Sequence, residues 1–153
     1  MRVCVLSFGL KVVLAMAVAA ALAAGGAVAA DDFVLIRNVK NPVTKLTRTE
    51  IKDMAVGKKK VWPQGQQVVQ MVLGPSGSPE LGWFSTVVVG APEATFMAKV
   101  RQEVFKGEMR RPIVAPAEND CLEAVGADPG ALGVVRASAA GHLPPSVALV
   151  ALR

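Results

Sequence analysis

The loop Ser76-Gly77-Ser78 carries the residue types best suited to hold an anion. It follows an apolar run at residues 68–73 and precedes a helix start, in which Ser78 is a good N-cap and Pro79 suits the first helical position. The backbone N–H groups of such a loop and of the first helical turn point the same way, and the helix dipole adds to their attraction for negative charge. An anion-binding loop with two extra hydroxyl groups is therefore one interpretation.

A plain capped helix start is the other interpretation, because it needs the same Ser-Pro-Glu order at residues 78–80. The loop is not a P-loop, since the Lys and Ser or Thr that should follow the glycines are absent. The spacing alone leaves the two interpretations open.

The remaining reactive side chains do not form a catalytic or metal-binding pattern. His142, the single histidine, lies in a segment rich in Gly and Pro with no acid or nucleophile near it in the sequence. Cys121 lies in a short predicted helix, where a small buried core residue is expected, and Cys4 belongs to the N-terminal segment. We therefore predict no enzyme activity, no metal and no cofactor.

The elements that must position the loop alternate between strand and helix. An apolar helical stripe formed by Phe96, Met97, Val100, Val104 and Phe105 is expected to face the core. The alternation predicts an α/β domain in which helices cover a mixed sheet. Strands are expected at residues 33–36, 68–73, 131–135 and 147–152, and helices at residues 47–57, 78–90, 92–107 and 119–125.

The N-terminal segment has the pattern of a secretory signal. Arg2 and Lys11 precede a wholly apolar run at residues 12–30, which ends in the small-residue pattern Ala27-Val28-Ala29. An uncleaved membrane anchor is the alternative, but the alanine bias and the Gly25-Gly26 break favour cleavage. The prediction is a signal peptide over residues 1–29 and a periplasmic or secreted domain over residues 30–153.

A lipoprotein is not expected, since Cys4 precedes the apolar run instead of ending it, and no later stretch is apolar enough to span a membrane. The net charge of +5 falls to +3 once Arg2 and Lys11 are removed, and the basic residues are spread along the chain. The triplet Lys58-Lys59-Lys60 follows a helix-ending glycine and is expected to be a solvated turn. Nucleic acid is therefore not an expected partner.

The order of these segments resembles the periplasmic substrate-binding proteins of phosphate ABC transporters. The resemblance covers about residues 33–152 and depends on five pieces in this order inside an exported chain. They are Asn41-Pro42 before Leu46-Thr47, a helix ending at Gly57 before Trp62 and Gly65, the Ser-Gly-Ser helix start with Phe84 downstream, Val104-Phe105-Lys106-Gly107, and the Pro-Gly-Ala-Leu-Gly-Val-Val segment at residues 129–135.

The resemblance implies a type 2 periplasmic-binding-protein fold, reduced in this chain to about one lobe. In the family, two lobes clamp an oxyanion between helix N-termini and loop hydroxyls. Ser76, Gly77 and Ser78 match the family's Ser-Gly-Thr phosphate loop.

Two functional hypotheses follow. The domain recognises phosphate or a related oxyanion, either directly or with a partner that supplies the other wall. Alternatively, it has lost its ligand and serves as an interaction module of the cell envelope. The second hypothesis predicts an exposed apolar patch and a complex with a partner or a homodimer.

Overall fold

The computed structural model describes residues 32–65 and 67–153, which form one mixed sheet with helices on both faces. The sheet has the strand order β2-β6-β1-β5-β3-β4. β1 is antiparallel to β5 and β6, whereas β3 is parallel to both β4 and β5, and β2 is parallel to β6. The strands are β1 (Phe33–Asn38), β2 (Lys45–Leu46), β3 (Gln70–Leu73), β4 (Ile113–Val114), β5 (Ala131–Arg136) and β6 (Val147–Leu152).

The helices lie between the strands, as the alternation in the sequence predicts, and the expected α/β class is confirmed. The predicted signal peptide at residues 1–29 lies outside the described residues. The helices are α1 (Arg48–Ala55), α2 (Pro79–Trp83), which continues directly as a π-helix (Phe84–Val89), α3 (Glu93–Phe105), α4 (Glu118–Ala127) and a 3-10 helix (Ala137–His142).

The helix ends confirm several local predictions. Thr47 and Glu50 form the expected capping box of α1, with the Glu50 amide donating to Thr47 Oγ1 at 3.1 Å and the Thr47 amide donating to Glu50 Oε2 at 2.8 Å. Gly90 ends the π-helix in the left-handed region at a φ of 79°. These caps fix the start of α1 and the end of the π-helix.

Two apolar cores form because strand side chains alternate between the faces of the sheet. On one face, Leu35, Met71 and Leu132 pack against α1, α2, the π-helix and α3. On the other face, Ile36 and Val72 pack against α4 and the 3-10 helix. The sheet is therefore the middle layer of three, which explains why β3 and β5 are apolar along nearly their whole length.

β5 and α4 approach closely at a glycine. A Cβ atom at Gly133 would lie 2.8 Å from Cys121 Sγ and 2.8 Å from Val125 Cγ2. Cys121 is buried and free, as the sequence predicts, and burial raises the pKa of its thiol to about 11. A thiol with this pKa stays protonated at neutral pH, which makes it a poor nucleophile.

Phe105 corrects one expectation. The sequence stripe places it in the core, yet 94% of its surface is exposed. Phe96 and Val100 define the buried side of α3. Phe105 follows Phe96 by nine residues, and a rotation of about 100° per residue turns it to the opposite side of the helix.

Four further elements differ from the sequence prediction. The two-residue strands β2 and β4 have no pattern long enough to be recognised, and each forms by pairing with a longer neighbour. The segment around His142 is a 3-10 helix instead of a simple turn. α4 continues through Gly126 to Ala127, although the glycine predicts an earlier end.

None of the helices within residues 32–65 and 67–153 has the length and apolar character needed to cross a membrane. Over the same residues, no three His, Cys, Asp or Glu side chains are grouped so that they could hold a metal ion.

Replacing Gly133 with Ala should lower the free energy of unfolding by about 1–3 kcal/mol, because the added methyl group overpacks the contact between β5 and α4. Gly141→Ala is the matched control, since a Cβ atom at Gly141 would meet nothing within 4 Å. Urea unfolding of the two variants measures the difference. Equal stability of Gly133→Ala and Gly141→Ala would contradict the close packing.

Candidate functional site

The loop between β3 and α2, residues 74–78, lies at the edge of the sheet where the parallel strands end. Because β3 is parallel to β4 and β5, the residues that follow those strands lie at the same edge. These are residues 115–117 before α4 and Arg136 at the end of β5. β1 runs the other way and begins at this edge, where Phe33 pairs with Arg136.

The backbone of the loop is shaped by two glycines. Gly77 adopts the left-handed conformation with a φ of 80°, which a residue with a side chain adopts only with strain. The Ser78 amide donates to Pro75 O at 3.0 Å and closes a turn. At Gly74, a Cβ atom would collide with Ser78 Oγ, so a glycine there lets the serine fold back over the loop.

Ser78 caps α2, as the sequence predicts. Its Oγ accepts a hydrogen bond from the Leu81 amide at 3.3 Å, and Pro79 occupies the start of the helix. A serine hydroxyl that accepts one bond still has its own proton to donate. The cap therefore does not consume the donor that an anion would need from Ser78.

Glu93, in the first turn of α3, places a carboxylate on the loop. Its Oε1 accepts a hydrogen bond of 2.8 Å from the Gly77 amide. Ser76 is exposed, and none of the hydrogen bonds within the described part of the chain uses its amide or hydroxyl. Of the three predicted residues, Gly77 thus holds an oxyanion already, Ser78 retains one hydroxyl proton, and Ser76 faces solvent.

Arg136 is the cation that the fold brings beside this loop. Its Nε lies 3.7 Å from Glu80 Oε1, and its guanidinium group lies over the ring of Phe33, 5.9 Å from the ring centre. The Arg136 amide donates to Glu118 Oε2 at 3.4 Å. One arginine and the carboxylates of Glu80 and Glu118 therefore share this edge of the sheet.

A small cavity of about 40 Å³ opens between the loop and α4. Its walls include Gly74, Pro75, Glu80, Glu118 and the buried Cys121. This volume is about that of one water molecule, so the cavity is too small to enclose an oxyanion. The exposed side of the loop, where Ser76 and Gly77 lie, is the part that an anion can reach.

Sequence reasoning did not find Glu93 or Arg136. Neither belongs to the loop segment: Glu93 lies 16 residues beyond Gly77, and Arg136 ends a different strand. The sequence signals for them are weak, namely an acidic residue directly after Pro92 and a lone charge closing an apolar strand. His142, by contrast, is exposed within the 3-10 helix.

The fold is similar to that of several solved structures. A protein from Clostridium perfringens assigned as a phosphate ABC transporter substrate-binding protein, solved with bound phosphate, superposes with a TM-score of 0.60 at 22% identity. An ABC-type phosphate transport receptor from Vibrio cholerae gives 0.56 at 19% identity, and PstS from Borrelia burgdorferi gives 0.60 at 12% identity.

The chain has the fold of part of a phosphate-transport substrate-binding protein. The three matches cover 79–80% of this chain and 44–47% of the solved chains, in agreement with the single-lobe expectation. The first two are named as a transporter substrate-binding protein and a transport receptor, not as enzymes. No protein-family model and no curated protein sequence matches the chain.

Proposed function

We propose that this chain is an exported, solute-binding-protein-like domain that recognises phosphate or a related oxyanion at Ser76, Gly77 and Ser78. The observation that carries the proposal is the hydrogen bond from the Gly77 amide to the Glu93 carboxylate. It supports the view that this loop conformation directs a backbone donor at an oxygen anion. Phosphate appears in the names of two of the similar proteins, and its oxygens can accept hydrogen bonds from such a donor.

Phosphate binding at this loop is an exchange of one oxyanion for another. The incoming oxygen takes the Gly77 amide from Glu93, and further oxygens accept from the Ser76 amide and from the two serine hydroxyls. The amide of Ser78 stays in its turn with Pro75, and Pro79 has no N–H to contribute. The loop thus offers up to four donors.

Arg136 supports the exchange, while the nearby carboxylates oppose it. Arg136 is a cation at this edge, but its guanidinium already lies near Glu80, and its backbone N–H donates to Glu118. An exposed site with this charge balance binds phosphate weakly, because water competes for each donor and Glu93 competes for one. Binding at millimolar phosphate is therefore expected, unless a partner covers the open side.

Millimolar phosphate should raise the melting temperature of the protein, since a ligand that binds the native state stabilises it. Chloride at the same ionic strength gives the baseline, and sulfate tests related oxyanions. The double variant Ser76→Ala with Ser78→Ala should lose the phosphate effect, because it removes both hydroxyl donors.

Ser78→Ala also removes the N-cap of α2, so the matched control is Thr47→Ala, which removes the N-cap of α1 elsewhere in the fold. Thr47→Ala should melt earlier and still respond to phosphate. A wild-type protein that responds to neither phosphate nor sulfate beyond chloride would rule out direct binding. A double variant with an undiminished response would place binding elsewhere.

Export is the second part of the proposal, and it depends on the sequence pattern at residues 1–29. When the complete chain is expressed in a Gram-negative host, mass spectrometry of the periplasmic fraction should find a product that begins at Ala30. A product in the membrane fraction that retains residues 1–29 would instead support the uncleaved anchor.

A further inference from the structure

A groove lies between α3 and the edge strand β4, apart from the loop. It has a volume of about 430 Å³. We call it the α3–β4 groove, and it is lined by Met97, Val100, Arg101, Val104, Phe105, Arg111, Pro112 and Val114. Its lining is apolar except for two arginines, and it contains no carboxylate.

Two apolar side chains of the groove are strongly exposed. Phe105 is 94% exposed at the end of α3, and Val114 is 58% exposed on β4. Val114 pairs in register with Leu73 of β3, which belongs to the core on the side of α3, so Val114 lies on that side of the sheet. An aromatic ring and a β-branched side chain therefore border one open channel. Large exposed aromatic groups of this kind are typical anchors of binding surfaces.

β4 offers a backbone edge beside that channel. It is the last strand in the order of the sheet and pairs only with β3 over the described ranges. Its outer N–H and C=O groups can accept an additional extended segment. In such a segment every second side chain would enter the groove.

The charges around the groove favour an acidic occupant. The acidic neighbours on this side are already paired with lysines, because Glu103 lies 2.6 Å from Lys99 Nζ and Glu108 pairs with Lys60. Neither Arg101 nor Arg111 takes part in an ion pair with any residue of the described ranges. Both arginines are thus available to carboxylates of another molecule.

We infer that the α3–β4 groove binds an extended acidic segment of a partner protein, in which apolar side chains and Glu or Asp share the face of the strand that enters the groove. The segment adds to β4 as a strand, its apolar side chains contact Phe105 and Val114, and its carboxylates face Arg101 and Arg111. A second copy of this chain is a poor occupant, since pairing two β4 strands would bring four arginines together. This surface does not depend on phosphate binding.

The probe is a labelled seven-residue peptide, Glu-Ser-Val-Ser-Leu-Ser-Glu, in which the Glu, Val and Leu side chains share one face of the extended chain. Fluorescence polarisation measures its binding. The peptide should bind the wild-type protein, and this binding should weaken as the salt concentration is raised. Phe105→Ala should weaken binding roughly tenfold, and Arg101→Glu with Arg111→Glu should abolish it. These side chains are exposed, so the variants are expected to fold, and a melting curve checks this.

Leu149→Ala is the matched control, because Leu149 is an exposed apolar side chain of β6, at 43% exposure. It should leave binding unchanged, and a peptide with Lys in place of Glu should not bind. The inference is overturned if the acidic peptide fails to bind at about 1 mM, a concentration that detects even weak complexes. Equal binding by Phe105→Ala or by the Lys peptide overturns it as well. If the wild-type protein sediments as a dimer and Phe105→Ala sediments as a monomer, the groove binds a second copy of this chain, and the inference is overturned.

Discussion

The parallel pairing of β3 with β4 and β5 determines which parts of the chain can meet. Parallel strands end at one edge, so the loop after β3, the start of α4 and Arg136 come together there although they are far apart in sequence. β1 adds its starting end to the same edge because it is antiparallel to β5. The candidate site depends on this strand order, because a different order would leave the loop without Arg136 beside it.

The contact between Gly77 and Glu93 gives the loop its present chemistry. It ties the loop to the first turn of α3 and occupies a donor that a bound oxyanion would use. A glutamate here is favourable for the fold, because its charge lies near the starts of two helices. In the proposed exchange, the same glutamate would compete with phosphate for the Gly77 amide. The chain spans less than half the length of the solved phosphate-transport proteins whose fold it resembles.

The sequence predicts the local features of the fold well, because they depend on neighbouring residues. The Thr47–Glu50 capping box, the Ser78 cap and the stop at Gly90 are each encoded within a few positions. The apolar runs likewise predict β1, β3, β5 and β6. The exposure of Phe105 follows from helical geometry, because nine residues separate it from Phe96 on the buried side of α3. The strand β4 could not be predicted from local pattern, since it forms only by pairing with β3. The Gly77–Glu93 contact could not be predicted from the local sequence either, because it joins segments 16 residues apart.

The central claim is that an oxyanion takes the Gly77 amide from Glu93, and NMR of that amide tests it most directly. Phosphate is titrated into the wild-type protein, into Glu93→Ala and into Glu123→Ala, which removes an equal charge from an exposed position on α4. The Gly77 amide signal should shift in all three proteins. In Glu93→Ala it should reach half-saturation at roughly three- to tenfold less phosphate than in the other two. A Gly77 signal that stays unmoved, or a half-saturation point unchanged by Glu93→Ala, would contradict the account.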